Sequence, residues 1–199
     1  MQINQVQLDE LYAVLSAVRE GAVSEAKAVE RLSSSPHWVW TAIDPESKLL
    51  LSVQVGERTL AMAQAVLHQI VQLVAPGCVP LFVSDGYPHS LTAIVTHCGH
   101  WVQPPRRQTT GPVPKPRWMP LAELLYAQVV KTLRRRRLVA VKHRVVFGTK
   151  AAVDQALAAC GWQINTAFVE RLNLLGQIPR SLLRLFPGCY CCVHERLSA

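Results

Sequence analysis

Acidic residues are scarce in this chain of 199 residues, in which Asp and Glu total 13 and Lys and Arg total 21. The only aspartates are Asp9, Asp44, Asp85 and Asp154. Chemistry that requires several carboxylates therefore has few candidate residues. The length is sufficient for one domain with a substantial core and short for two full domains. Half of the residues are hydrophobic and 17% are charged, which excludes a chain that stays disordered.

The sequence also lacks the features of secreted and membrane proteins. The first five residues contain neither a basic region nor an apolar stretch, so we expect no signal peptide. The longest apolar segment, 59–75, carries polar residues at helical spacing, which predicts an amphipathic core helix rather than a membrane span. The six cysteines are not spaced as a disulfide framework, so we expect reduced thiols and a cytoplasmic protein. A zinc site that combines His97, Cys98 and His100 with the C-terminal cysteines is a weaker alternative, because paired Cys-x-x-Cys knuckles are absent.

The basic residues are concentrated in the middle of the chain. Residues 101–150 hold 12 basic residues and one acidic residue, whereas residues 1–100 hold 5 basic and 9 acidic residues. This charge predicts a polyanionic partner, with nucleic acid as the first candidate and a solubilising surface as the alternative. The candidate DNA-binding residues of this block are Arg106, Arg107, Lys115, Arg117, Lys131, Arg134, Arg135, Arg136, Arg137, Lys142 and Arg144.

The hydrophobic patterning predicts an α/β chain. Strands are predicted where apolar and β-branched residues alternate or form runs, at 3–8, 38–44, 49–55, 79–84, 126–133 and 138–147. Helices are predicted at 11–18, 24–32, 59–75, 90–98, 150–160 and from about residue 166 onward. Six prolines within 103–120 predict an extended or loop segment. Three antiparallel strands, a crossover helix and then a parallel strand form the ribonuclease H-like layout, a mixed sheet with flanking helices.

In this layout the first strand pairs in parallel with the fourth, so the carboxyl ends of both strands meet. Asp9 follows the first predicted strand and Asp85 follows the fourth. Together with a carboxylate from a later helix, they could bind two Mg²⁺ or Mn²⁺ ions about 4 Å apart, the arrangement that supports phosphoryl transfer. Asp44 competes for the first position, but the layout requires two strands between that position and the crossover helix. We therefore expect Asp44 to lie in a turn before Pro45.

Five short stretches carry a resemblance to a known family: Asp9–Tyr12, Gly56–Thr59, Ser84–Gly86, Val146–Thr149 and Asn165–Asn173. In this order they resemble the DDE transposases of bacterial insertion sequences, most closely the insertion-sequence-one-like family, over about 6–174. The resemblance implies that Asp9, Asp85 and Glu170 are the catalytic residues and the ligands of the metal ions. It implies metal-dependent DNA cleavage and strand transfer in transposition, with element ends and target DNA as partners. It further implies a homodimer without a membrane partner, associated with the bacterial nucleoid.

Some residues near these stretches have alternative interpretations. Glu57 competes with Glu170 as the third carboxylate, but it precedes the crossover helix, so we expect a structural role for it. Asn165, Arg171 and Asn173 flank Glu170 and either position it, bind DNA phosphate or are ordinary residues of a helix surface. We count Arg171 among the candidate DNA-binding residues.

Two tryptophans and both chain ends complete the sequence-based expectations. Trp101 and Trp118 lie among basic residues, but we expect them to pack in the core or against a loop rather than to stack on DNA. We expect a catalytic domain at 1–174 with a helical insert at about 11–35, no N-terminal DNA-binding region, and an irregular tail at 175–199 that resembles a shifted reading frame. The alternative to an active enzyme is therefore a truncated, inactive remnant that binds DNA or inhibits the intact transposase. A related ribonuclease H-like nuclease is a weaker third interpretation.

Overall fold

The fold is known from a computed structural model, which describes residues 1–12, 24, 38–106, 113–134, 137–158 and 161–175. The strands are β1 (Gln5–Tyr12), β2 (Trp38–Asp44), β3 (Leu49–Gly56), β4 (Leu81–Ser84), β5 (Gly99–Val102), β6 (Arg117–Pro120), β7 (Tyr126–Arg134) and β8 (Arg137–Phe147). The helices are α1 (Leu60–Leu73), α2 (Pro88–His97), α3 (Lys150–Ala158) and α4 (Ala167–Leu175). Both the tail beyond residue 175 and most of the helical insert predicted at 11–35 lie outside the described residues.

The main sheet of the described chain has six strands in the order β3-β2-β1-β4-β7-β8. Strands β1, β2 and β3 form an antiparallel meander, β1, β4 and β7 are parallel, and β8 pairs antiparallel with β7 at the sheet edge. Helix α1 makes the crossover from β3 to β4. The predicted mixed α/β sheet with flanking helices is thus confirmed.

The β2–β3 hairpin turns at the residue predicted for a turn. Asp44 is buried, and its carboxylate accepts hydrogen bonds from the backbone N–H of Glu46 (3.1 Å) and the hydroxyl of Ser47 (2.6 Å). An aspartate that bonds its own backbone two residues ahead forms an Asx turn. Lys48 closes the turn with a φ of 61°. Asp44 therefore has a structural role at the end of β2, whereas Asp9 and Glu10 pair with Thr41 and Trp40 in the middle of that strand.

Two apolar layers cover the two faces of the sheet. On one face, α1 and α2 pack on a core that includes Val6, Phe82 and Ile70. On the other face, α3 packs on a smaller core that includes Val83 and Leu157. Since successive strand side chains point to opposite faces, even-numbered residues of β1 and β4 face α1 and α2, and odd-numbered residues face α3 and α4.

The first strand is longer than the sequence indicated. β1 continues past Asp9 because Glu10 to Tyr12 pair with Trp40 to Trp38 of β2. The helix predicted to begin at residue 11 is therefore wrong at its first two positions, where the inter-strand hydrogen bonds outweigh the helical pattern. β4 is shorter, and its last pair with β1 is Ser84 with Leu8.

Strands β5 and β6 form a small separate ribbon, and β6 lies within the proline-rich segment 103–120, for which an extended or loop structure was expected. β5 and β6 pair antiparallel, with Trp101 directly opposite Trp118. The ribbon joins the carboxyl end of α2 to the chain that enters β7. No helix among the described residues is long and apolar enough to cross a membrane.

Candidate metal centre

Three carboxylates converge at the carboxyl end of the parallel pair β1 and β4. The side chains of Asp9, Glu10 and Asp85 each offer an oxygen, and these atoms lie within 4.8 Å of one another. Leu8 pairs with Ser84, so Asp9 and Asp85 are the next residues along both strands. We call these three residues the acidic cluster. The meeting of Asp9 and Asp85 that the strand order predicted is thus present.

The turn after β4 fixes the direction of the Asp85 side chain. The carboxylate of Asp85 accepts a hydrogen bond from the backbone N–H of Tyr87 at 3.1 Å, and Gly86 has a φ of +91°. A residue with a side chain adopts this φ only with strain, which explains the glycine in the Ser-Asp-Gly stretch. Below the turn, the hydroxyls of Ser84 and Tyr126 bond at 2.8 Å, and the Gln128 amide donates to Tyr126 at 2.8 Å.

Glu10 is the member of the acidic cluster that the sequence analysis did not assign. The Arg58 guanidinium donates to the Glu10 carboxylate from Nη2 at 2.5 Å and from Nε at 3.1 Å. Arg58 lies against the rings of Trp38 and Tyr87, at 4.5 and 4.2 Å from their centroids. The Tyr87 hydroxyl in turn donates to the backbone oxygen of Arg58 at 2.8 Å. This aromatic clamp holds Arg58, and through it Glu10, in one orientation.

The environment of Glu10 disfavours its charged form. Its side chain is 3% exposed. The pKa of Glu10 is raised from 4.5 to about 7, chiefly by burial and also by the charges of Asp85 and Asp9, while Arg58 partly offsets the shift. A raised carboxylate pKa beside other carboxylates is typical of sites that bind a cation, because the cation replaces the proton and relieves the repulsion.

The donor set of the acidic cluster fits a hard divalent cation. Mg²⁺ and Mn²⁺ prefer oxygen ligands, and the cluster offers carboxylate oxygens from three half-buried residues. Asp9, Glu10 and Asp85 are therefore the residues that could hold such an ion.

Glu170 lies on the same sheet face as Asp9 but outside the acidic cluster. The backbone N–H of Val169 donates to the side chain of Gln7 at 3.2 Å, which places α4 over the odd-numbered face of β1. The Glu170 carboxylate pairs with the Lys131 ammonium at 2.5 Å and accepts a hydrogen bond from the hydroxyl of Thr166. Its predicted role as third metal ligand stays a prediction.

The residues around Glu170 and its competitor Glu57 have local structural roles. Asn165 forms an Asx turn just before α4, because its side-chain oxygen accepts from the backbone N–H of Ala167 at 3.0 Å. Arg171 is exposed on α4, and the side chain of Asn173 lies outside the described residues. Glu57 has an exposed side chain and is not part of the acidic cluster; its backbone oxygen accepts from the indole of Trp40 at 3.2 Å.

The candidate DNA-binding residues are distributed over two regions. Lys131 and Arg134 are on β7, and Lys142 and Arg144 are on the edge strand β8, all of them exposed. Residues in the second region are exposed on or near the small ribbon: Arg106, Lys115 and Arg117. Candidates whose side chains lie outside the described residues are Arg107, Arg135, Arg136 and Arg137.

The expectation that Trp101 and Trp118 pack in the core or against a loop is wrong. Their exposed fractions are 59% and 41%, and their rings contact each other edge to face with centroids 5.6 Å apart. The two tryptophans are directly opposite each other on paired strands, so their side chains lie on the same face of the ribbon.

The alternative zinc site gains no support from the described part of the chain. Burial raises the pKa of the Cys98 thiol to about 11, which disfavours the thiolate that zinc requires. The ring nitrogen Nδ1 of His97 lies 3.0 Å from the backbone oxygen of Ala93. The C-terminal cysteines lie outside the described residues.

Comparisons with known proteins identify no relative: no family model, curated protein or solved structure matches this chain.

Proposed function

We propose that the protein is a divalent-metal-dependent enzyme of DNA transposition that cleaves DNA phosphodiesters and transfers strands, built on a ribonuclease H-like domain. The observation that carries the proposal is the convergence of Asp9 and Asp85 at the point where the parallel pairing of β1 with β4 ends. The strand order of the sheet, in which an antiparallel meander precedes that parallel pair, supports the ribonuclease H-like assignment. The resemblance of five ordered sequence stretches to the insertion-sequence transposases supports the choice of DNA as substrate.

Asp9, Asp85 and Glu10 would hold Mg²⁺ or Mn²⁺ at this edge of the sheet. When bound, such ions neutralise charge on the phosphate and activate water or a terminal hydroxyl as nucleophile. The protein contributes the orientation of the ligands. The Asx turn to Tyr87 directs the Asp85 carboxylate, and Arg58 restrains Glu10.

The basic strands β7 and β8 supply the contact with the DNA backbone in this proposal. Lys142 and Arg144 pair with Val130 and Gln128, and the side chain of Gln128 lies beside Gly86 of the turn that carries Asp85. Cations beside the acidic cluster compensate the phosphate charge that approaches it, and this contact weakens as the salt concentration rises.

The test is nicking of supercoiled plasmid DNA in Mg²⁺ or Mn²⁺ by the wild-type protein and by Asp85→Asn. Asparagine keeps the oxygen that accepts from Tyr87 and removes the charge, so the turn is retained and the metal ligand is lost. Asp154→Asn is the matched control, because Asp154 is exposed on α3 and is not part of the acidic cluster. We expect wild-type and Asp154→Asn to nick and Asp85→Asn to be inactive. Nicking by Asp85→Asn at the wild-type rate would refute the proposal.

A second candidate function is DNA binding without cleavage. It is favoured by one observation, the pairing of Glu170 with Lys131 and Thr166 instead of with the acidic cluster. Salt-sensitive DNA binding together with no nicking in either metal would establish this alternative. Light scattering with and without DNA tests the homodimer that joining two element ends would require.

A further inference from the structure

The outer face of the β5–β6 ribbon is an exposed aromatic surface that the proposed catalytic function does not use. Trp101 and Trp118 are cross-strand partners with 59% and 41% of their area exposed. Single exposed apolar residues are normal, but two adjacent tryptophans on one ribbon face expose a large area that is usually buried. Their exposure therefore indicates a ligand that covers them.

The ribbon is held rigidly enough to present these rings in one arrangement. At its base, a Cβ atom on Gly99 would lie 2.3 Å from the backbone oxygen of Val95 on α2 and 2.5 Å from that of Met119 on the partner strand, so only glycine fits where the ribbon leaves the helix. At its outer end, the side-chain amide of Gln103 donates to the backbone oxygen of Pro114 at 2.5 Å and joins the two connecting segments. A preorganised surface loses little conformational entropy when a ligand binds.

The charge around the ribbon selects the class of ligand. Between Asp85 and Glu123 the sequence contains four basic residues and no acidic residue. Arg106, Lys115 and Arg117 are exposed, and Arg117, which pairs with Val102, borders the tryptophan pair from the opposite face of the ribbon. A second copy of this surface would bring like charges together. A polyanion with flat apolar groups, which is a nucleic acid with accessible bases, matches both the rings and the charge.

We propose that the β5–β6 ribbon binds single-stranded nucleic acid, with unpaired bases stacked on Trp101 and Trp118 and phosphates beside Arg117, Lys115 and Arg106. The site is distinct from the acidic cluster. Tyr87 and Asp85 precede the first residue of α2 and the ribbon follows its last, so a helix of 10 residues, about 15 Å long, separates them. The ribbon therefore contacts a part of the nucleic acid remote from the bond that would react.

The test is the binding of two fluorescent oligonucleotides in EDTA, so that the result does not depend on cleavage. One is an oligothymidylate of about 12 nucleotides, and the other has the same length and phosphates but no bases. Stacking on an aromatic side chain contributes about 1–3 kcal/mol per base, so two stacked bases should make oligothymidylate bind at least about thirtyfold more tightly than the abasic strand. Equal affinity of the wild-type protein for both strands would overturn the proposal.

Two kinds of variant identify the surface responsible. Trp101→Leu should reduce the preference for the strand with bases to what one remaining stacked base gives, and Trp118→Phe, which keeps an aromatic ring, should retain most of the preference. Arg117→Gln should weaken the binding of both oligonucleotides equally and reduce the salt dependence of binding by about one phosphate contact. Circular dichroism of each variant confirms folding. A base preference in Trp101→Leu that is as large as in the wild-type protein would refute the proposal. A dimer that this substitution dissociates, in the absence of any base preference, would also refute it.

The outcome is independent of the proposed enzyme activity. The same Trp101→Leu protein, assayed for plasmid nicking, reports on the acidic cluster alone. Base-dependent binding without nicking would establish the ribbon site and reject the catalytic proposal. Nicking without base-dependent binding would support the catalytic proposal and reject the ribbon site.

Discussion

Replacing Asp85 with Asn is expected to have opposite effects on stability with and without a divalent cation. In the metal-free protein, Asp85 adds repulsion to a cluster whose carboxylate oxygens lie within 4.8 Å of one another. Asn removes this charge and keeps the acceptor for the Tyr87 N–H. The variant should therefore be more stable than the wild-type protein in EDTA and should lose the stabilisation that Mg²⁺ gives.

The distances and the environment set the magnitude. Two unit charges at 4.8 Å repel by about 1 kcal/mol in water and by about 3–4 kcal/mol at an effective dielectric constant near 20. The acidic cluster is half-buried, so we expect a gain of about 2 kcal/mol for Asp85→Asn. In a domain of this length that gain raises the midpoint of thermal unfolding by about 6 °C. Mg²⁺ at about a hundred times its dissociation constant should stabilise the wild-type protein by about 2.7 kcal/mol.

The assay is thermal unfolding of the wild-type protein, Asp85→Asn and Asp154→Asn, each in EDTA and in excess Mg²⁺. Measurement about one pH unit above the pKa of Glu10, at about pH 8, keeps this carboxylate largely charged. Asp154→Asn controls for the loss of one negative charge from the whole protein. The reasoning is refuted if Asp85→Asn is less stable than the wild-type protein in EDTA, or if it retains the full Mg²⁺ effect.

Three further outcomes follow from the structure. Glu10→Gln should become more stable than the metal-free wild-type protein as the pH rises. Because the pKa of Glu10 is raised from 4.5 to about 7, its contribution to the free energy of unfolding is fully present below pH 4.5 and decreases by about 3 kcal/mol as the pH rises through 7. Urea unfolding at several pH values would measure this decrease. Gly99→Ala should destabilise by about 2 kcal/mol or more, since the new methyl group meets two backbone oxygens at 2.3 and 2.5 Å; unchanged urea unfolding would contradict this. Lys131→Ala should strengthen Mg²⁺ binding in calorimetry if Glu170 is a metal ligand, and unaltered affinity would exclude that role.

The sequence was informative about Asp9, Asp44 and Asp85 because topology restricts these positions. The number of strands before the crossover helix leaves one arrangement in which two aspartates end neighbouring parallel strands. The Asx turn at Asp44 is local chemistry, since an aspartate before a proline readily bonds its own backbone. The positions of these aspartates depend on the order of the strands and on the local chemistry of aspartate, and both can be read from the sequence.

Glu10 and the β5–β6 ribbon could not be derived in this way. Strand alternation places Glu10 on the opposite face from Asp9, so a sequence pattern predicts that the two carboxylates diverge. The carboxylates of Asp9 and Glu10 meet near Asp85 because the pairing of β4 with β1 ends at Leu8, and β1 continues beyond this residue without β4 beside it. The ribbon strands have four residues each, too few for a periodic signal, and their pairing connects residues far apart in the sequence. The exposure of the tryptophans then depends on this pairing and not on residue type.

The ion pair of Glu170 does not exclude this residue from the metal centre. Both side chains of the pair with Lys131 are about one third exposed, and ion pairs in such positions contribute about 1 kcal/mol or less. The helix that carries Glu170 begins over Gln7, two residues before Asp9 on the same face of β1. A cation held by Asp9 and Asp85 would attract the Glu170 carboxylate across this face. This attraction would compete with the weak ion pair between Glu170 and Lys131. Lys131 therefore neutralises a carboxylate on the same sheet face as Asp9 in the metal-free protein, where a further negative charge would add to the repulsion.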